Sequence, residues 1–159
     1  MSFQEDFEKI KEFFYVSESR YIVSNKYLEH LQKKNPPLSE KTRIYFDKPA
    51  LKYPIDYGYT IEVESYKSSL DKHMKILINN CIILLVSAWE VYCRDNKIRK
   101  YHNDEIREII LYRNCIVHNK GVVDKEYIKK SKLKKYNLRD SLNFKRDDFK
   151  QFLEYFKGK

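Results

Sequence analysis

The stretch LYRNCIVHNKG, residues 111–121, places Arg113, Asn114 and His118 at the end of an apolar segment, just ahead of Gly121. Asn114 and His118 are four apart, so on a helix they share one face, a turn from each other. Histidine titrates nearest neutral pH and suits proton transfer. Arginine keeps its proton and offers planar forked donors to phosphate oxygens. An amide can hold a phosphate or fix an imidazole ring. Such a set suits cleavage of RNA, which carries its own nucleophile, the 2′-OH, beside the scissile phosphate. That reaction needs a proton taken from the hydroxyl, charge stabilised on the phosphorane and a proton given to the leaving 5′-oxygen. No metal or cofactor is expected.

These residues need elements to hold them. Asn103 or Asp104 is placed to cap a helix that runs through Ile106, Ile109, Ile110 and Val117, and Gly121 fits the left-handed position past its end. Arg113 falls in the same three-and-four stripe, and a charge there needs a partner, inside the domain or across an interface. A longer helix is predicted from about 61 to 100. Its middle, Ile76 to Tyr92, is apolar on nearly every side and predicts a central element buried all round. Residues 3–32 predict a long amphipathic helix with Phe3, Phe7, Ile10, Phe14, Tyr21, Val23, Leu28 and Leu31 inward. Between them, 33–59 holds Pro36, Pro37, Pro49, Pro54 and Gly58, so it predicts a long loop, with short extended pieces in IYFDKP and YPIDYGY. A basic connecting segment, 122–145, precedes a short helix over 146–156 that carries Phe149, Phe152, Leu153 and Phe156 on one side.

The whole composition agrees with a helical bundle. The chain has 159 residues, enough for one domain with a real core. Only 3 glycines and 4 prolines argue against a loop-rich sandwich or barrel, so the fold class is all-α. A formal net charge of +9 favours a polyanionic partner, nucleic acid before membrane, although a lysine-rich surface serves solubility as well. Cys81, Cys93 and Cys115 lack metal spacing and sit among apolar residues, which predicts small core side chains in a reducing compartment. The first residues, MSFQEDFEKI, are charged and have no apolar signal region. The run CIILLVSAW is about half the length of a membrane span, so a cytoplasmic protein without membrane partners is expected.

R-N-C-I-V-H resembles the R-x4-6-H motif of HEPN domains, with a polar residue after the arginine. NKGVVD is similar to the sequel in a bacterial, RiboL-PSP-HEPN-like branch. Upstream, SAWEVYCRD (87–95) is similar to the family's second motif, a glutamate followed four positions on by a basic residue, here Glu90 and Arg94. The resemblance covers about 61–125 and implies a helical bundle that dimerises, with Arg and His motifs meeting in one composite cleft. It further implies a metal-independent endoribonuclease, leaving a 2′,3′-cyclic phosphate and a 5′-hydroxyl. His118 would then move protons, Arg113 would hold the phosphate, Asn114 would assist and Glu90 would support the cleft. Roles as a toxin or in phage defence, with a cognate antitoxin as partner, go with that resemblance.

Plainer readings stand beside these. Asn114 and His118 also fit a polar helix terminus, and Glu90 with Arg94 fits an i,i+4 surface pair. Lys120, Lys129, Lys130, Lys132, Lys134 and Lys135 read as an RNA phosphate track or as a solvated basic face. His30, His73 and His102 have no constellation around them. The 14 tyrosines can stack on bases or pack a core. The rival functions are a HEPN-like module that binds RNA or nucleotide without cutting it, and a structural helical dimer or partner protein.

Overall fold

The computed structural model describes residues 2–33, 43–45 and 60–159. The fold is helical: α1 (Phe3–Gln32), α2 (Val63–Asp95), α3 (Asp104–Asn119), α4 (Lys125–Lys130) and α5 (Arg146–Phe156), with a two-stranded antiparallel ribbon of β1 (Arg43–Tyr45) and β2 (Thr60–Glu62). The chain forms two compact units, one of residues 1–17 with 75–159 and the other of 18–74.

In the smaller unit, the ribbon pairs Ile44 with Ile61, and the Tyr21 hydroxyl donates to Asp71 at 2.8 Å. Leu28 and Met74 are buried. Val23, expected inward, is exposed, because it lies off the line that Leu28 continues. β1 takes up the start of IYFDKP. The four prolines, Gly58 and YPIDYGY lie outside the described residues, as does the Leu31 side chain.

The larger unit holds every candidate site residue. Its core is built on aromatic contacts between helices. Phe3 of α1 meets Trp89 of α2 edge-on at 5.1 Å, Trp89 meets Phe156 of α5 at 5.7 Å, and Phe14 lies 4.6 Å from Phe149. Each such ring removed from water contributes about 2–3 kcal/mol. The four predicted apolar residues of α5 are all buried. Cys81, Cys93 and Cys115 are buried free thiols, and burial pushes the Cys81 thiol up to about 12.

Two expectations for α2 are corrected. The helix stops at Asp95 rather than near Lys100, because Lys97 turns left-handed (φ 57°). Ile98 N–H then bonds Cys93 O at 2.8 Å and Lys97 N–H bonds Arg94 O at 3.3 Å, the two bonds that close a helix end. Nor is α2 buried all round. Ile78, Cys81, Ile82, Leu85, Val86 and Trp89 face the core, while Ile76, Leu84 and Val91 are 56%, 49% and 46% exposed. The core-forming helices cover one side of α2 and leave an apolar stripe on the other. Ser65–Asp95 as a whole is also long and apolar enough, by length and composition, to cross a membrane, which the short run CIILLVSAW does not convey.

Helix α3 starts as the sequence predicts. The Asn103 side chain accepts from Ile106 N–H at 2.7 Å, satisfying one of the free donors at the helix start. At its other end both Lys120 (φ 53°) and Gly121 (φ 79°) are left-handed, and Gly121 N–H bonds Cys115 O at 2.9 Å. Ile106, Ile109 and Ile110 are buried, whereas Val117 is 49% exposed, since the core ends a turn before it.

Candidate active site

Arg113 does find a partner, and it is Glu90. The guanidinium Nη2 donates to Glu90 Oε2, joining α3 to α2 across the two sequence motifs. The arginine side chain is 16% exposed and the carboxylate 29%, so the pair is half-sheltered and stronger than an open surface contact. Arg113 Nε is buried and has no hydrogen-bond partner among the described residues. The second Glu90 oxygen faces the Lys100 ammonium at 3.3 Å. One carboxylate therefore bridges two cations.

The alternative i,i+4 pair of Glu90 with Arg94 does not form. Arg94 is largely exposed and turns to Asp95 at 3.3 Å.

His118 is exposed and Asn114 half-buried, one turn apart on α3. Just past them the chain is pinned. Asn119 Nδ2 donates to Asp124 Oδ2 at 2.6 Å, and Asp124 Oδ1 accepts from Tyr127 N–H at 2.7 Å as the cap of α4. Asp124 thus fixes the angle at which the chain leaves the Arg/His segment. The structure brings Arg113 and Glu90 together and puts Asn114 and His118 on the adjoining helix surface.

The basic segment is more ordered than a connector. It contains α4, and Leu142 N–H reaches back to Gly121 O at 2.7 Å, with Val122 bridged to Ser141. Its anchor is Glu108, a buried carboxylate that sequence reasoning passed over. It accepts from the Tyr127 hydroxyl (2.9 Å), the Ser131 hydroxyl (2.7 Å), Lys132 N–H (2.9 Å) and Leu133 N–H (3.2 Å). The available signal was a glutamate between Ile106 and Ile109, which must be compensated if it turns inward. Tyr112, Tyr127 and Phe144 pack beside it as core rather than as base-stacking platforms.

Lys120, Lys129, Lys130, Lys132, Lys134 and Lys135 are all exposed, and Lys130 is held by Glu126 at 2.5 Å. The turn that carries Lys132, Lys134 and Lys135 does not lie beside Asn114. The turn at Leu133 and Lys135 lies against Glu105, Glu108, Ile109 and Tyr112, around a small cavity. At 100° per residue, Asn114 is roughly 120–180° round α3 from those four. The turn and the Asn114 surface are different flanks of the helix.

Among the described residues, no group of three or more His, Cys, Asp or Glu side chains is placed to hold a metal ion. No family model, curated protein or solved structure matches the chain.

Proposed function

We propose that the chain is a metal-independent endoribonuclease of HEPN type that acts as a homodimer. The observation that carries this reading is the Glu90–Arg113 pair, which links the two resembling motifs across 23 residues, with His118 open to solvent five residues on, about 140° round α3 from Arg113. In the proposed reaction an imidazole takes the 2′-OH proton as O2′ bonds to phosphorus. Arg113 donates to the non-bridging oxygens as charge builds on them. The P–O5′ bond breaks, and an imidazolium returns a proton to O5′. The products are a 2′,3′-cyclic phosphate and a 5′-hydroxyl, with no redox change and no added water. Glu90 occupies one guanidinium nitrogen and sets its plane; with Nε buried, Nη1 is the nitrogen left to meet phosphate.

The second copy is argued from the apolar stripe. Val91 follows Glu90, and Val117 lies one turn after Arg113, so exposed apolar side chains flank the pair on both helices. A second copy of the same surface would cover the stripe and bring a second Arg113/His118 set to the same cleft. A toxin or defence role with an antitoxin partner, and a cytoplasmic location, belong to the same proposal.

The test uses the internal nucleophile. An RNA oligonucleotide should be cut, and the same oligonucleotide carrying a 2′-deoxy nucleotide at the cut site should resist there. Equal cutting of both would remove 2′-OH attack from the account.

A further inference from the structure

The linker between α2 and α3 carries Lys97, Ile98, Arg99, Lys100, Tyr101 and His102. It holds three cations, no acid and an aromatic ring, a composition that suits phosphate contacts interleaved with stacking. Its path is fixed at three points. The α2 closure holds Lys97 and Ile98, Trp89 Nε1–H donates to Lys100 O at 2.8 Å, and Asn103 caps α3. Lys97 and Arg99 are exposed. The Tyr101 ring lies 5.2 Å from the Lys100 ammonium and 5.4 Å from the Arg107 guanidinium.

Two contacts connect this linker to the candidate site. Lys100 shares the Glu90 carboxylate with Arg113. Arg107 falls within roughly 20° of both Asn114 and His118 round α3, about 10 Å and about 16 Å along its axis. Arg107 rests on Asp104 at 3.0 Å, an exposed contact that a phosphate can replace. Tyr101 therefore sits on the flank of α3 that carries Asn114 and His118, and Lys100 sits at the Glu90–Arg113 pair, whereas the Lys132–Lys135 turn lies on the other flank.

We propose that this linker is a second binding site for single-stranded RNA, with Lys97, Arg99 and Lys100 on the backbone phosphates flanking the cut and Tyr101 stacked on a base. The proposal rests on the ribonuclease reading and names how that site takes its substrate. Because the linker is held before RNA arrives, little ordering cost is added on binding.

The experiment measures binding of a labelled single-stranded RNA dodecamer to the His118→Ala protein by anisotropy across a range of KCl. Lys97→Gln with Arg99→Gln should reduce the log–log salt slope by about 1.4, at about 0.7 per lost phosphate contact. Tyr101→Leu should weaken binding about tenfold with the slope kept. For the otherwise wild-type enzyme, Tyr101→Leu should raise KM on the dodecamer more than on a dinucleotide, a difference that a folding defect would not produce. Fluorescence of Trp89, which touches the linker, checks that the variants are folded. RNA binding with salt slope and affinity untouched by these substitutions would overturn the linker site and leave the ribonuclease reading standing. No RNA binding by the parent protein, with no cleavage by wild type, would overturn both.

Discussion

Glu90 on α2 and Arg113 on α3 form a half-sheltered ion pair that joins the two helices. The pair is costly to break from one side, because a half-sheltered guanidinium is left without its carboxylate. Glu90→Gln keeps shape and loses charge. It should lower stability by about 1–2 kcal/mol, less than a fully buried pair would cost because both groups touch water. Urea denaturation measures this. In the proposed mechanism the same variant lowers kcat at least tenfold, because the arginine is no longer held in one plane. Arg113→Lys should not rescue activity, since an ammonium cannot present the fork.

Glu108 predicts a larger structural effect. Its carboxylate serves four donors, two of them backbone N–H groups of the basic turn. Glu108→Ala leaves those donors unsatisfied in a closed space and should cost about 3 kcal/mol or more. Glu108→Gln retains an acceptor and should cost less. Hydrogen exchange at Lys132 and Leu133 should rise first in the glutamine variant, and unchanged protection would show that the turn does not depend on this carboxylate.

Much of this was legible in the sequence, for identifiable reasons. Helices α1 and α5 follow from strong apolar periodicity, and α3 follows from an Asn cap and a glycine stop. The need of Arg113 for a partner followed from its stripe, but the choice of Glu90 was not readable from spacing. An i,i+4 neighbour, Arg94, competed for the same carboxylate, and only the packing of α2 on α3 decides between them. The end of α2 is hidden in the sequence because a lysine, Lys97, takes the left-handed position where glycine is the usual signal. The exposed side of α2 is not legible in its sequence, because apolar pattern gives hydrophobicity and does not tell a side chain packed in the core from one left at the surface.

That apolar surface gives the third prediction. Leu84→Lys and Val91→Lys add charge to exposed positions, so they should leave the monomer fold intact within about 0.5 kcal/mol. In the proposed dimer they should shift sedimentation to the monomer and abolish cleavage together. A wild-type protein that sediments as a monomer at micromolar concentration would remove the composite cleft from the account.

The thiols predict a pH response. Burial raises the Cys81 thiol from 9.0 to about 12, and raises Cys93 and Cys115 as well. The folded state therefore favours the protonated thiols, and the unfolded chain ionises first as pH rises. Their contribution is fully present below about pH 9 and is lost as pH climbs from 9 toward 12, where each tenfold difference in proton affinity between folded and unfolded thiol is worth about 1.4 kcal/mol. Melting temperature should fall across that range. At pH 8 a thiol reagent should react slowly with the native protein and rapidly with all 3 cysteines in denaturant.

In the proposed reaction His118 moves protons in a cleavage that needs no metal. End-labelled RNA incubated in EDTA with wild-type protein, and separately with His118→Ala, tests it directly, with the fragment ends assayed for cyclic phosphate. Cyclic-phosphate fragments are expected from wild type, with at least a hundredfold slower cleavage by the variant. No cleavage by wild type across several RNAs, or equal cleavage by both proteins, would contradict it.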